Sequence, residues 1–224
     1  MSLVETFFNW EVFVSSFPLL LSGLRVTISL GAVSIVAGLV LGLAIALIRL
    51  YGVRPAQLVA RLFIDLFRSI PILVLLIVVY YALPFVGLSL SPFMSAALSL
   101  TLVSAAYTAE IFRAGIEAVP RGQFEASFAL GLNYRQMMRD VILPQAIRIM
   151  IPPLTGNCIN VIKDTALASV VAIPDLVKQA TQAQALEANP TPLIAAALMY
   201  IAILLPLVYL VSRLEKKSRR EYTQ

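Results

Sequence analysis

Four polar side chains stand together in an otherwise apolar stretch: Asn157, Asn160, Lys163 and Asp164 of "GNCINVIKDTALAS" fall within about two helical turns. Amide, ammonium and carboxylate in one place supply donors and acceptors together, which is what a small polar solute needs from a binding site. The same residues also suit a structural role, with Lys163 and Asp164 paired at a membrane edge and the asparagines bonding neighbouring helices. Ser104, Tyr107, Tyr80 and Tyr81 add hydroxyls, a residue type that equally serves as a bond between helices or as an interface anchor. Charges at membrane depth are costly, so Glu110 and Arg68 each invite a functional reading; alternatively Glu110 and Arg113, three apart, neutralise each other on a helix, and Arg68, near the end of an apolar run, reaches water. Several chemistries are excluded. There is no histidine, hence no His-based metal site or proton relay, and one cysteine, Cys158, hence no intrachain disulfide. No G-x-x-x-x-G-K-[ST] loop is present to bind a nucleotide.

The elements that must position these residues belong to a membrane. Apolar residues make up 60% of the 224 and charged residues 13%, about half the charged share of a soluble domain. Uncharged runs are long enough to cross about 30 Å of hydrocarbon as helices. They predict an all-α, polytopic protein, one domain over 1–224, with five crossings at roughly 22–48, 63–83, 93–116, 145–162 and 192–212. Arg49, Arg54 and Arg61 follow the first run, and "RLEKKSRREYTQ" follows the last. Basic loops stay inside, so the N-terminus is expected outside and the C-terminus in the cytoplasm. The net charge of +5 is explained by these flanks and does not point to nucleic acid. Residues 1–11 hold Glu5 and Glu11 but no basic residue, unlike a secretory leader. Residues 163–189 read as an outer amphipathic segment in which Asp175 caps a short helix, and "IPP" at 151–153 is expected to interrupt the fourth crossing.

One segment, residues 121–144, does not fit the apolar pattern: "RGQFEASFALGLNYRQMMRDVILP". Phe124, Phe128 and Leu132 recur at i, i+4 and i+8, giving a helix with one apolar stripe that is too short to span. Gly131 and Asn133 tolerate the left-handed conformation that ends helices. A second short helix carries Met137 and Met138 beside Arg135 and Arg139, and Leu143-Pro144 opens the next one. The expected product is a rigid helix–turn–helix whose aromatic and methionine side chains form a docking surface; an amphipathic loop lying on lipid headgroups fits the same pattern.

The spacing of Glu125, Ala126, Ser127, Gly131, Val141, Leu143 and Pro144 resembles the "E-A-A-x-x-x-G-x(9)-I-x-L-P" loop of permease subunits in ATP-binding-cassette importers, with serine and valine in two slots. The likeness extends to the polar amino acid branch of that family through "FRSIPILVLLIVVYYALP" (67–84), "YTAEIFRAGIEAVPRGQFEA" (107–126) and "IKDTALAS" (162–169), where Ser69-Ile70 and Ala166 depart from the usual residues. The resemblance implies a type I importer fold in the bacterial inner membrane and a chain that is not itself an enzyme and binds no cofactor. It implies two partner ATPase subunits holding ATP and Mg, a second permease subunit, identical or related, and an extracytoplasmic amino-acid-binding protein. On this reading Phe124, Glu125, Ala126, Phe128, Gly131, Met137, Leu143 and Pro144 couple to the ATPase, with Glu125 tying the loop together or pairing across the interface. Ser104, Tyr107, Asn157, Asn160, Lys163 and Asp164 line the path of a polar amino acid, whose zwitterion needs donors and acceptors alike. An ATP-independent channel or carrier, or a membrane anchor, are the alternatives from other classes.

Overall fold

A computed structural model describes residues 3–222, with side chains for 5–213. The described residues are helical throughout, apart from turns, and contain no strand. Apart from Arg213, the side chains of the basic tail expected inside the cell fall beyond the described ones.

After a short α1 (Leu3–Phe7), α2 runs unbroken over Trp10–Tyr51. It begins well before residue 22 because Asn9 caps it, accepting a hydrogen bond from the Val12 N–H at 3.2 Å. Its first turns pack Phe13 and Leu20 against α9 (Leu176–Glu187) and α10 (Thr191–Tyr222). At about 63 Å, α2 is twice the thickness of a bilayer core.

The expected 63–83 crossing is not one straight helix. Pro71 removes a donor and forces Ile70 out of the helical region, to φ −81° and ψ 130°. The chain therefore turns by 102° between the amphipathic α3 (Arg54–Ser69) and the stretch Ile72–Val86, which holds α4 (Ile72–Ile77). Next comes α5 (Pro92–Glu117), started by the Ser91 side chain. Two short helices, α6 (Arg121–Ala129) and α7 (Tyr134–Gln136), precede α8 (Leu143–Asp164).

One expectation about α8 holds and one changes. Its regular turns begin at Leu143-Pro144 with proline in the first turn, while the helical path continues back through a wide turn at Met137–Ile142 into α7. It passes through Pro152 and Pro153 without a break. Pro152 is buried against neighbouring helices, and the Thr155 hydroxyl donates to the Ile151 carbonyl at 2.8 Å, so packing holds a segment that local propensity would interrupt.

Three helices, α2, α5 and α10, are long and apolar enough to cross a membrane, and the bent α3–α4 pair makes a fourth if taken together. This is a multi-pass membrane protein. Its tightest joint lies between α2 and α5. Gly38 and Gly42, one turn apart, leave the surface of α2 flat enough for Ser104, Ala105 and Thr108 of α5 to lie directly on its backbone. Around this seam sit Leu30, Leu76 and Leu100 toward one end and Ile45, Ile64 and Ala109 toward the other.

Asp175 begins α9 as expected, accepting from the Lys178 N–H at 3.0 Å. It is fully buried, its Oδ2 has no hydrogen-bond partner among the described residues, and burial pushes its carboxyl up to about 6. A folded-state value above the unfolded one means the folded protein prefers the protonated acid. This contribution to stability is complete below about pH 4 and is lost as pH rises through 6. Asp175→Asn keeps a capping oxygen and removes the buried charge. Thermal unfolding in detergent should show the variant more stable than the parent at pH 7.5, by about 2 kcal/mol, and matched to it below about pH 4. Equal melting at both pH values would refute this assignment.

Candidate functional site: a polar cavity and an external hairpin on one helix

Five of the expected path residues meet in one place. Ser104 and Tyr107 of α5 with Asn157, Asn160 and Asp164 of α8 line a cavity of about 250 Å³, closed on its other walls by Ile72, Leu100, Val103 and Val161. Helical spacing explains the set: 157, 160, 161 and 164 repeat at three and four residues and share a face. The Asn157 amide donates to Ser104 Oγ at 3.3 Å and to Thr108 Oγ1 at 3.2 Å. It thus fixes α8 to α5 while forming a wall, serving both of the roles its position allowed. Lys163 does not join this group. One residue earlier on the helix, it points to a separate apolar cavity of about 400 Å³ with Tyr200 and Leu204.

The cation near the polar cavity is Arg68. The backbone turn at Ile70-Pro71 brings its guanidinium carbon to 5.4 Å from the ring centroid of Tyr107. It stays 3.9 Å from Glu110 Oε1, a loose contact, and its side chain is 39% exposed. Glu110 is held more firmly by others: Arg113 Nη2 donates to Oε1 at 2.5 Å and Arg49 Nη1 to Oε2 at 2.8 Å, while Arg113 also reaches Glu117. The i,i+3 pair legible in the sequence is therefore present, as part of a network that joins α2, α3 and α5. Arg49 lies 61 positions away in sequence, and no local pattern announces it.

At the end of the bundle where α2 and α5 finish, α6 and α7 form a hairpin stiffened at both sides of its turn. Leu132 N–H donates to the Ser127 carbonyl at 3.1 Å and Gly131 N–H to that of Phe128 at 2.9 Å, with Gly131 at φ 74°. This paired closure needs a left-handed residue, which is the reason for glycine there. Asn133 and Gln136 then exchange side-chain and backbone hydrogen bonds, at 2.9 and 3.1 Å, to start α7. Ser127 is buried, its hydroxyl donating to the Gln123 carbonyl.

The expected apolar stripe divides. Phe124 and Leu132 pack inward with Val141 on Met137, Met138, Ile142 and Met150. Met137 is 1% exposed, so it belongs to the hairpin's own core and not to its docking face. Phe128 and Leu130 point out, 57% and 80% exposed, near exposed Glu125 and Ala126. Glu125 makes no ion pair within the chain among the described residues, so it does not tie the loop together. Pro144 and Leu143 face solvent at the start of α8. Leu130 is the residue that sequence reasoning passed over, an exposed leucine beside a helix-ending glycine being the available signal; Arg68 was singled out as a charge, but not its place beside Tyr107.

Residues 34–220 match the model of the family described as "Binding-protein-dependent transport system inner membrane component". The chain belongs to this family. Among curated members, it is 39% identical to a probable amino-acid ABC transporter permease, YckA, of Bacillus subtilis (strain 168), over 95% of both chains. It is 36% identical to the arginine transport system permease ArtQ of the same organism, covering 94% of this chain and 97% of the relative. With the glutamine transport system permease GlnP of Escherichia coli (strain K12) the figures are 35% identity, 95% and 98%. A chain from a crystal structure of an amino acid ABC transporter with histidines superposes with TM-score 0.88 at 36% identity, covering 93% of this chain and 98% of that one. The inward-facing MetNI methionine ABC transporter shares the fold, with TM-score 0.73 at 22% identity and coverage of 97% and 99%. This chain is thus an amino acid ABC permease by family and fold.

Proposed function

We propose that this permease moves a polar amino acid across a bacterial inner membrane, through the cavity between α5 and α8, driven by ATP hydrolysed in a partner chain. The observation that carries the proposal is mechanical: one continuous helical path from Tyr134 to Asp164, about 45 Å long, joins the external hairpin to the cavity wall. Asp164 accepts the substrate ammonium, Asn160 and Tyr107 hydrogen-bond it, and Arg68, beyond the Tyr107 ring, meets the carboxylate. A cavity of about 250 Å³ is below the usual range of about 300–1,000 Å³ for drug-sized ligands, which suits a solute of amino acid size.

Phe128, Leu130, Ala126 and Glu125 form the face gripped by the ATPase. A second permease chain, two ATPase subunits with ATP and Mg, and a binding protein delivering substrate on the outer side complete the assembly. When the ATPase subunits close, each pushes its hairpin; α8 moves as a rigid rod, and the cavity changes the side to which it opens.

Asp164→Asn tests the binding half. In proteoliposomes holding the complete transporter, loss of a charge-assisted hydrogen bond should weaken amino acid uptake by about 10- to 100-fold, with basal ATP hydrolysis retained. Unchanged uptake would remove the cavity from the path.

A further inference from the structure

A groove of about 610 Å³ opens at the hairpin end of the bundle, apart from the polar cavity. Three helices line it: α5 contributes only the apolar Phe112 and Ile116, and the other two sort their residues the same way. Along α2 the lining passes from Leu43 and Leu47 to Leu50 and Tyr51 at the helix end. Along the α7–α8 path it passes from Ile147 and Leu143 back to Arg139, Arg135 and Tyr134. One end is thus apolar over about 12 Å of helix, and the other gathers two arginines and two tyrosines. The arginines are exposed, and among the described residues the carboxylate paired with them is Asp140, 3.9 Å from Arg139 and itself 61% exposed, a weak counterion.

We propose that this groove holds an anionic phospholipid, its acyl chain along Leu43, Leu47 and Ile147 and its phosphate between Arg135 and Arg139. Apolar depth with tyrosine and arginine at a single end is the profile of a lipid molecule read from tail to headgroup. An ATPase surface or a second permease chain would have no reason to demand that axial sorting. Bidentate arginine geometry suits a phosphate diester. The inference rests on placing this end of the bundle at the cytoplasmic leaflet, as the proposed function does, but it does not require that the protein transport anything.

Native mass spectrometry of the full-length protein in its complete transporter, released from detergent with dioleoylphosphatidylglycerol or dioleoylphosphatidylcholine added, provides the test. Phosphatidylglycerol should remain bound to the permease and phosphatidylcholine should not. Arg135→Gln with Arg139→Gln should weaken the retained lipid by about 30-fold, near a factor of five for each charge. Leu47→Trp, which fills the apolar end and keeps both arginines, should lower retention as well; unfolding temperatures check that each variant folds. Equal retention of both lipids, retention unchanged in the arginine pair, or competition by inorganic phosphate alone would overturn the proposal. So would a cross-link from Leu47 to a second permease chain or to the ATPase in the assembled complex. Uptake assays are independent: lipid retention with failed uptake would count against the proposed function and leave this site standing.

Discussion

Gly42→Leu is expected to abolish the folded protein. A Cβ at Gly42 would stand 2.6 Å from Thr108 Cβ and 2.8 Å from the Ala105 carbonyl oxygen, and at Gly38 it would meet Ser104 Oγ at 2.6 Å. The atoms in the way at Gly42 are backbone and branch carbon, which cannot swing aside as the end of a long side chain would. The helices must separate, and separation also pulls Ser104 and Thr108 from Asn157, opening the wall of the polar cavity. Overpacking a core costs about 1–3 kcal/mol at an adaptable site; at a joint set by backbone contact the cost should exceed the upper figure. Size-exclusion chromatography and thermal unfolding in detergent check this. Gly156→Ala is the matched control: a Cβ there meets nothing within 4 Å, so the variant should unfold at the parent's temperature or slightly above it.

Phe128→Asp should give the opposite pattern, a sound subunit that no longer works. The ring is 57% exposed and lies outside the Met137–Met150 cluster, so losing it should leave the unfolding temperature within a few degrees of the parent. A buried aromatic anchor at an interface contributes about 2–4 kcal/mol, equal to a loss of about 30- to 1,000-fold in affinity. An aspartate adds a desolvation cost. Co-purification with the ATPase and amino acid-stimulated ATP hydrolysis should both collapse. Gly131→Ala should act more mildly, because its cost is the left-handed backbone at φ 74° and not a clash. A Phe128→Asp variant that still binds the ATPase at wild-type strength would show that the exposed ring is not the anchor.

The contrast between these two substitutions also shows what a sequence discloses. Apolar runs and Arg flanks were enough to reveal a helical membrane protein, and the 125–144 spacing to reveal the hairpin, because both are local or periodic signals. Asp175 was legible as a cap from its place before an amphipathic run. The glycine pair at 38 and 42 was also visible as G-x-x-x-G, but only α5 lying on it turns that spacing into a joint. Burial of Met137 was not legible: its neighbours Val119 and Met150 come from flanking segments, so local amphipathicity alone left it on the surface. Lys163 was assigned to the polar cluster by proximity along the chain, whereas one residue of helical rotation sends it to another cavity. Arg68 was legible as a charge near the end of an apolar run, but not its neighbours, for the converse reason. Its approach to Tyr107 depends on the 102° turn after Ser69, which the apolar run from 69 to 83 conceals by reading as an uninterrupted crossing. The continuity of α8 through Pro152-Pro153 is a case of packing overruling propensity.

The decisive question is what touches the outer face of α6 while the transporter turns over. A photo-crosslinking side chain placed at Phe128, with Phe85 as the control site on the opposite end of the bundle, 93% exposed, can be irradiated in proteoliposomes during ATP-driven uptake. Adducts from position 128 should carry the mass of the ATP-hydrolysing subunit, and those from position 85 should not. Adducts at 128 with lipid alone, in vesicles that are actively taking up amino acid, would contradict a hairpin gripped by the ATPase.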